Sequence, residues 1–296
     1  MERRGFVSNT LGGLAAASLA REAFSEEKEM PHIRLSACDW SLGAGGPGGL
    51  EVAKRCTLDG LEVSPGGAAD KLQLADPKYR EQLKAKAKET GIAVSSVAMG
   101  LLNGCPLATD PRGPAWLEQC IEATADLGAT NILLAFFGAA DLRKKLIPSP
   151  VAIKDELKTD AVDAVVARLK NAAPKAEKAR VVLGLENYLT AKQNLAILDR
   201  VGSPAVQVYY DARNSVDVGH DAPAEIRELK GRLCQIHFKD GGNYLGEGKV
   251  KWEAVRDALN DIGYKGWIVL ETSCPSKDSD ADFKRNAAFV RKLFSL

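Results

Sequence analysis

The most constraining feature of this sequence is a repeated alternation. Eight short apolar runs of strand length are each followed by a polar-studded segment of helical period. The runs begin at Ile33-Arg34-Leu35-Ser36-Ala37-Cys38 and continue through Leu61–Ser64, Ile92–Met99, Asn131–Phe137 and Val181–Glu186. Val206–Asp211, Leu233–Asp240 and Trp267–Glu271 complete them. Between them lie helical segments with clear punctuation. Asp76-Pro77 opens one with a capping side chain and a proline in its first turn, and Gly91 closes it. Others are expected over Gly49–Cys56 (after the breaker cluster Gly45-Gly46-Pro47-Gly48), Pro114–Leu127, Lys154–Lys178, Ala191–Val201, Pro223–Leu229, Trp252–Ile262 and Asp280–Phe294. In the longest, Leu157, Ala161, Ala164, Val165 and Leu169 keep helical spacing.

Near-continuous apolar strands separated by helices are the pattern of a parallel sheet covered on both faces. Eight such units over residues 32–296 are close to the ~250 residues typical of a (β/α)8 barrel. A doubly wound sheet lacks support, because no G-x-G-x-x-G follows the first strand. The fold class expected is therefore α/β, a TIM barrel forming a single domain over 31–296.

Residues 1–30 read as a separate leader and linker. Arg3-Arg4-Gly5-Phe6-Val7 precedes a soft segment from Leu11 to Ala20, and then the charged run Glu26-Glu27-Lys28-Glu29. Paired arginines before a Gly/Ala-rich stretch resemble a twin-arginine export signal, which implies a periplasmic destination for a protein folded before export. The segment is too short and too weakly hydrophobic to anchor in a membrane. Lys+Arg 40 against Asp+Glu 39 leaves a net charge of +1, with no basic surplus to bind nucleic acid. The six cysteines stand singly, without a C-x-x-C pair, and are expected to be free thiols.

The chain has three histidines, and one of them, His237, lies near the end of a buried strand. In a barrel of this class the active site is built where strands end. The last four strands end in Glu186, Asp211, His237 and Glu271. Each is expensive to bury alone, and one such residue would often be structural. Four in successive strands suit a shared divalent ion. Three carboxylates and an imidazole favour Mn²⁺, Mg²⁺ or Co²⁺, and Zn²⁺ accepts the same ligands.

This quartet resembles that of the xylose isomerase-like barrel superfamily of sugar isomerases and epimerases. The tail motif His237-Phe238-Lys239-Asp240, Gly246-Glu247-Gly248, Trp252, Gly263-Tyr264-Lys265-Gly266 and Leu270-Glu271 strengthens the likeness. The resemblance implies one divalent ion held by Glu186, Asp211, His237 and Glu271. It implies that Glu186 and Glu271 also move the proton beside the carbonyl of a keto-sugar, through a metal-bound enediolate. It further implies a homodimer or tetramer. Three positions depart from the ketose 3-epimerases: Asn214 replaces a histidine, Lys192 a glutamate and Asn243 an arginine. The His-x-Lys-Asp arrangement is instead similar to inosose dehydratase and related keto-sugar lyases.

Around the quartet, Glu62 is expected either to contact substrate hydroxyls or to form a structural salt bridge. Lys239 is expected to stabilise an oxyanion or to pair with Asp240. Asn187, Arg213 and Asn214 lie next to ligands and are expected to face the pocket. Trp40 and Trp116 stack on a sugar face or belong to the core. His220 lies in a polar loop, and His32 carries no signal. The function expected is a metal-dependent sugar isomerase or epimerase acting on a small-molecule sugar. The alternatives are a keto-sugar or cyclitol lyase (dehydratase) on the same site, and a non-catalytic carbohydrate-binding barrel. An endonuclease IV-like enzyme needs a histidine-rich zinc cluster, which three histidines do not supply.

Overall fold

The computed structural model describes residues 33–144 and 156–296. The leader expected at 1–30, His32 and the expected start of the longest helix at Lys154 lie outside the described residues. Eight parallel strands close into a barrel in chain order: β1 Ile33–Cys38, β2 Gly60–Val63, β3 Ala93–Met99, β4 Asn131–Ala135, β5 Val182–Glu186, β6 Val206–Asp211, β7 Leu233–Phe238 and β8 Gly266–Leu270. β1 pairs with β8 from Ile33↔Gly266 to Ala37↔Leu270 and so removes the last free edge.

Among the described residues, ten α-helices surround the barrel: α1 Asp39–Leu42, α2 Gly46–Arg55, α3 Pro77–Thr90, α4 Gly113–Asp126, α5 Thr159–Ala179, α6 Ala191–Val201, α7 Ala212–Asp217, α8 Ala222–Leu229, α9 Trp252–Asp261 and α10 Ser279–Phe294. α3 begins and ends where its punctuation places it. The Asp76 side chain accepts from the Lys78 N–H, and Gly91 takes a left-handed φ of 77°, which only glycine adopts without strain. Gly46-Pro47-Gly48, read from sequence as a breaker, is the first turn of α2, where proline is well suited because its missing N–H has no helical partner there. α1 and α7 were not expected, since neither is long enough to show a period. α7 exists because Asp211, the last residue of β6, caps it by accepting the Asn214 N–H at 2.8 Å.

Most of the apolar core lies between strands and helices, where Leu35, Leu61, Val97, Ile132, Leu183, Val206 and Ile236 meet the inner faces of the helices. Trp116, weighed as a stacking residue, is core. It has no exposed surface and its indole donates to the Ala69 carbonyl at 2.8 Å. The barrel interior is a smaller cluster containing Cys38, Ala98, Leu133, Tyr209 and Val269. Besides His237 it holds polar groups that the apolar strand pattern did not lead one to expect, Ser36, Glu62, Ser96 and Gln235, all without exposed surface. They are tolerated because they bond one another. Gln235 accepts from Asn131 and donates to Ser96 and Tyr209 at 2.8–3.0 Å. All six cysteines are free, as expected.

Candidate active site

The four strand-end residues converge. Glu186 closes β5, Asp211 closes β6, His237 is the penultimate residue of β7, and Glu271 directly follows β8, its N–H still donating to the Phe238 carbonyl. One ligand atom from each lies within 4.8 Å of all the others. His237 Nδ1 is the centre of the group, 3.1 Å from Glu186 Oε1, 3.2 Å from Glu271 Oε2 and 3.9 Å from Asp211 Oδ2. Asp211 Oδ2 is buried and has no hydrogen-bond partner among the described residues. A buried carboxylate oxygen that accepts no well-formed hydrogen bond and has only the Lys239 ammonium at 3.0 Å, beside two more carboxylates and an imidazole, fits a divalent cation.

Lys239 balances part of this charge. Its Nζ lies 2.7 Å from Glu271 Oε2 and 3.0 Å from Asp211 Oδ2. Burial disfavours the ammonium, yet Asp211 and Glu271 hold it protonated above the ordinary lysine range. The two glutamates are pushed apart. Burial raises Glu186 to about 7 against the pull of His237. Burial also acts on Glu271, but His237 and Lys239 outweigh it and hold that carboxyl well below the usual range. Two carboxyls with opposite proton preferences are what acid–base chemistry at one carbon requires.

Two of the four, Glu186 and Glu271, line a cavity of about 540 Å³ together with Trp40, Phe137, Tyr188, Asn214 and Lys239. Trp40 is 44% exposed at the mouth, with its indole N–H 3.4 Å from Glu271 Oε1. Asn214 reaches Glu186 Oε1 at 3.5 Å. Of the expected contact residues, Trp40, Asn214 and Lys239 therefore line the cavity.

Glu62, Asn187 and Arg213 do not line it. Glu62 has no exposed surface and lies beneath His237, 2.9 Å from its Nε2. The Asn187 amide is used up within its own loop, donating to Asn194 and accepting from the Leu189 N–H, both at 2.8 Å. Arg213 turns to Asp217 at 2.7 Å and Asp240 at 3.5 Å. Adjacency in sequence to a ligand misled here, because successive residues at a strand end point in different directions. Lys239 does not pair with Asp240, the alternative considered for it. Asp240 is fully buried and staples the following loop, accepting from the N–H groups of Gly246, Gly248, Lys249 and Val250 and from the Trp252 indole. His220 is not simply solvated either, since its Nδ1 lies 3.4 Å from Glu225 Oε1.

Sequence reasoning passed over Phe137 and Tyr188, which pack edge to face at 4.8 Å and form an aromatic wall. Both sit within two residues of a strand end, the signal that found the quartet.

A family model described as the xylose isomerase-like TIM barrel matches residues 50–293. The chain belongs to this family. Among curated relatives, 2-epi-5-epi-valiolone 7-phosphate 2-epimerase of Actinoplanes sp. is 28% identical over 211 residues, 70% of this chain and 73% of that protein. L-ribulose 3-epimerase of Mesorhizobium japonicum is 24% identical over 255 residues, 83% and 79% of the two chains. Among solved structures, 3-keto-D-glucoside 4-epimerase from E. coli superposes with a TM-score of 0.70 at 17% identity, over 88% of this chain and 99% of that one. At that identity the likeness speaks to the fold alone.

Proposed function

We propose that this protein is a divalent-metal-dependent sugar epimerase that removes and returns a proton at the carbon beside a keto group. The observation that carries the reading is the approach of two cavity-lining carboxyls, Glu186 at the end of β5 and Glu271 just after β8, to within 3.2 Å of the same imidazole nitrogen. The epimerase names of the relatives support it. Glu186, Asp211, His237 and Glu271 would hold the cation, with manganese, magnesium or cobalt the ions best suited to this donor set. A bound divalent cation supplies a Lewis acid that stabilises negative charge developing on a carbonyl oxygen.

The chain's own groups do the rest. Glu271, beside the Lys239 ammonium at 2.7 Å, accepts the carbon-bound proton, and Glu186 returns one. Trp40, Phe137 and Tyr188 give the sugar ring apolar faces to lie against, and Asn214 and Lys239 offer donors to its oxygens.

Lys239 favours a second reading. An ammonium on the cavity wall beside the proton acceptor is placed to assist a leaving group, which would make the protein a keto-sugar or cyclitol lyase. Incubation with Mn²⁺ and keto-sugars in D₂O separates the two. The epimerase incorporates deuterium beside the carbonyl without losing water or an aglycone. The lyase forms an enone, and a binding-only barrel exchanges nothing.

We also propose that residues 1–30 direct export by the twin-arginine route, on the strength of Arg3-Arg4 ahead of the Gly/Ala-rich segment. Replacing both arginines (Arg3→Lys with Arg4→Lys) is expected to leave the protein in the cytoplasm of a bacterial host. Undiminished recovery of that variant from the periplasmic fraction would overturn the assignment.

A further inference from the structure

We propose that Glu62 is a positioning residue that sets the tautomer and orientation of His237, so that its Nδ1 serves the metal quartet. The inference rests on the reading that the quartet holds a divalent ion. A neutral imidazole has one N–H and one lone pair, so only one nitrogen can ligate, and the partner of the other decides which. His237 Nδ1 faces Glu186, Glu271 and Asp211, and Nε2 faces Glu62 Oε1 at 2.9 Å. A carboxylate only accepts, so Glu62 takes the Nε2–H and leaves the Nδ1 lone pair to the quartet. Partners of this kind hold a ligating ring in place and raise its basicity.

Glu62 is itself held on every side. Its Oε2 accepts from Ser96 at 2.6 Å and from the Tyr209 hydroxyl at 2.8 Å, and the Cys38 thiol approaches Oε1 at 3.4 Å. The Tyr209 ring packs edge to face on the imidazole at 4.7 Å. The backbone is adapted to this. Leu61 pairs with Val94 but Glu62 pairs with Ser96, so Ser95 is an extra residue in β3. Such a bulge re-aims side chains. Ser95 and Ser96 consequently bring their hydroxyls within 3.4 Å of each other inside the barrel, where Ser96 meets Glu62. A carboxylate without exposed surface is costly in a core, and a network this complete around it specifies one arrangement of the ring.

A rival use of the same atoms is a second ion held by Cys38, Glu62 and His237, whose ligand atoms also lie within 4.8 Å. In this structure the same atoms are already engaged with one another, His237 Nε2 with Glu62 Oε1 at 2.9 Å and the Cys38 thiol with Glu62 Oε1 at 3.4 Å.

The test is Co²⁺ and Mn²⁺ binding by the full chain, measured by titration calorimetry, with the Co²⁺ absorption spectrum recorded at saturation. The wild type is expected to bind one ion. Glu62→Leu is expected to weaken it roughly 10- to 100-fold and to shift the cobalt bands. Glu62→Gln, which retains an acceptor oxygen, loses less. Val255→Ala, a buried position in α9, reports loss of stability alone and should leave affinity and spectrum unchanged. If Glu62→Leu does not fold, the Glu62→Gln spectrum decides. Wild-type affinity and bands in folded Glu62 variants would overturn the proposal while leaving the quartet reading intact. Two ions in the wild type, one of them lost in both Glu62→Gln and Cys38→Ala, would replace it with the second-ion reading. No ion in the wild type would remove the quartet reading and this inference together.

Discussion

Glu271→Gln is expected to lower deuterium incorporation into the substrate by roughly 10²- to 10⁴-fold at saturating metal, the span that a positioned acid or base contributes. Glutamine has nearly the same shape, its one oxygen still accepts from Trp40 or Lys239, and the position is partly exposed, so the fold should be retained. Glu271 follows β8 rather than lying inside it and packs in no apolar layer. What is lost is a carboxylate, 2.7 Å from the Lys239 ammonium, that is there to accept the proton. Saturating metal separates this loss from weaker ligation by the amide. Circular dichroism and thermal melting check the fold. A folded variant that exchanges at more than a tenth of the wild-type rate would refute the acid–base assignment. Glu186→Gln should fail in the same assay, since the group that returns the proton is then absent.

Asp240→Asn is expected to cost at least ~3 kcal/mol of stability, the scale of breaking a buried ionic and hydrogen-bonded group. Asp240 has no exposed surface, and its carboxylate is ringed by donors only: four backbone N–H groups at 2.9–3.3 Å, the Trp252 indole at 3.0 Å and the Arg213 guanidinium at 3.5 Å. An asparagine amide turns an N–H toward some of these donors, so at least one pair faces donor to donor with no water to intervene. For a chain of this size the loss corresponds to a fall in melting temperature on the order of 6–12 °C. Gly248→Ala should act in the same direction, because a Cβ there would collide with the Asp240 carboxylate. Asp240→Asn melting within a degree or two of the wild type would show that the loop does not depend on this staple.

The staple also explains the tail motif. Asp240, Gly246, Gly248 and Trp252 are one hydrogen-bonded unit. Gly246 supplies a φ of 88° and Gly248 the absence of a Cβ. Much of the motif that carried the resemblance is thus scaffold, and Lys239 and Glu271 are its members that line the cavity.

The parts read directly from the chain were those with a one-dimensional signature. Apolar runs broken by capped helices determine a closed parallel barrel. A barrel gathers its strand ends, so Glu186, Asp211, His237 and Glu271 were legible as a group before any coordinates. The side chains around them were not legible, because strand direction, bulges and loop paths decide where a side chain points. Glu62 could have met substrate hydroxyls or formed a structural salt bridge, and the extra residue in β3 with the donors Ser96 and Tyr209 fixes it beneath His237, paired with the imidazole. Asn187 and Arg213 adjoin ligands in sequence but satisfy their hydrogen bonds in the scaffold, whereas Tyr188 and Phe137 come from different loops to form one wall. The sequence alone determined which residues stand at the ends of the strands. Only the tertiary structure decided which of their neighbours face the cavity, because each buried polar group must find a partner and those partners lie on other strands.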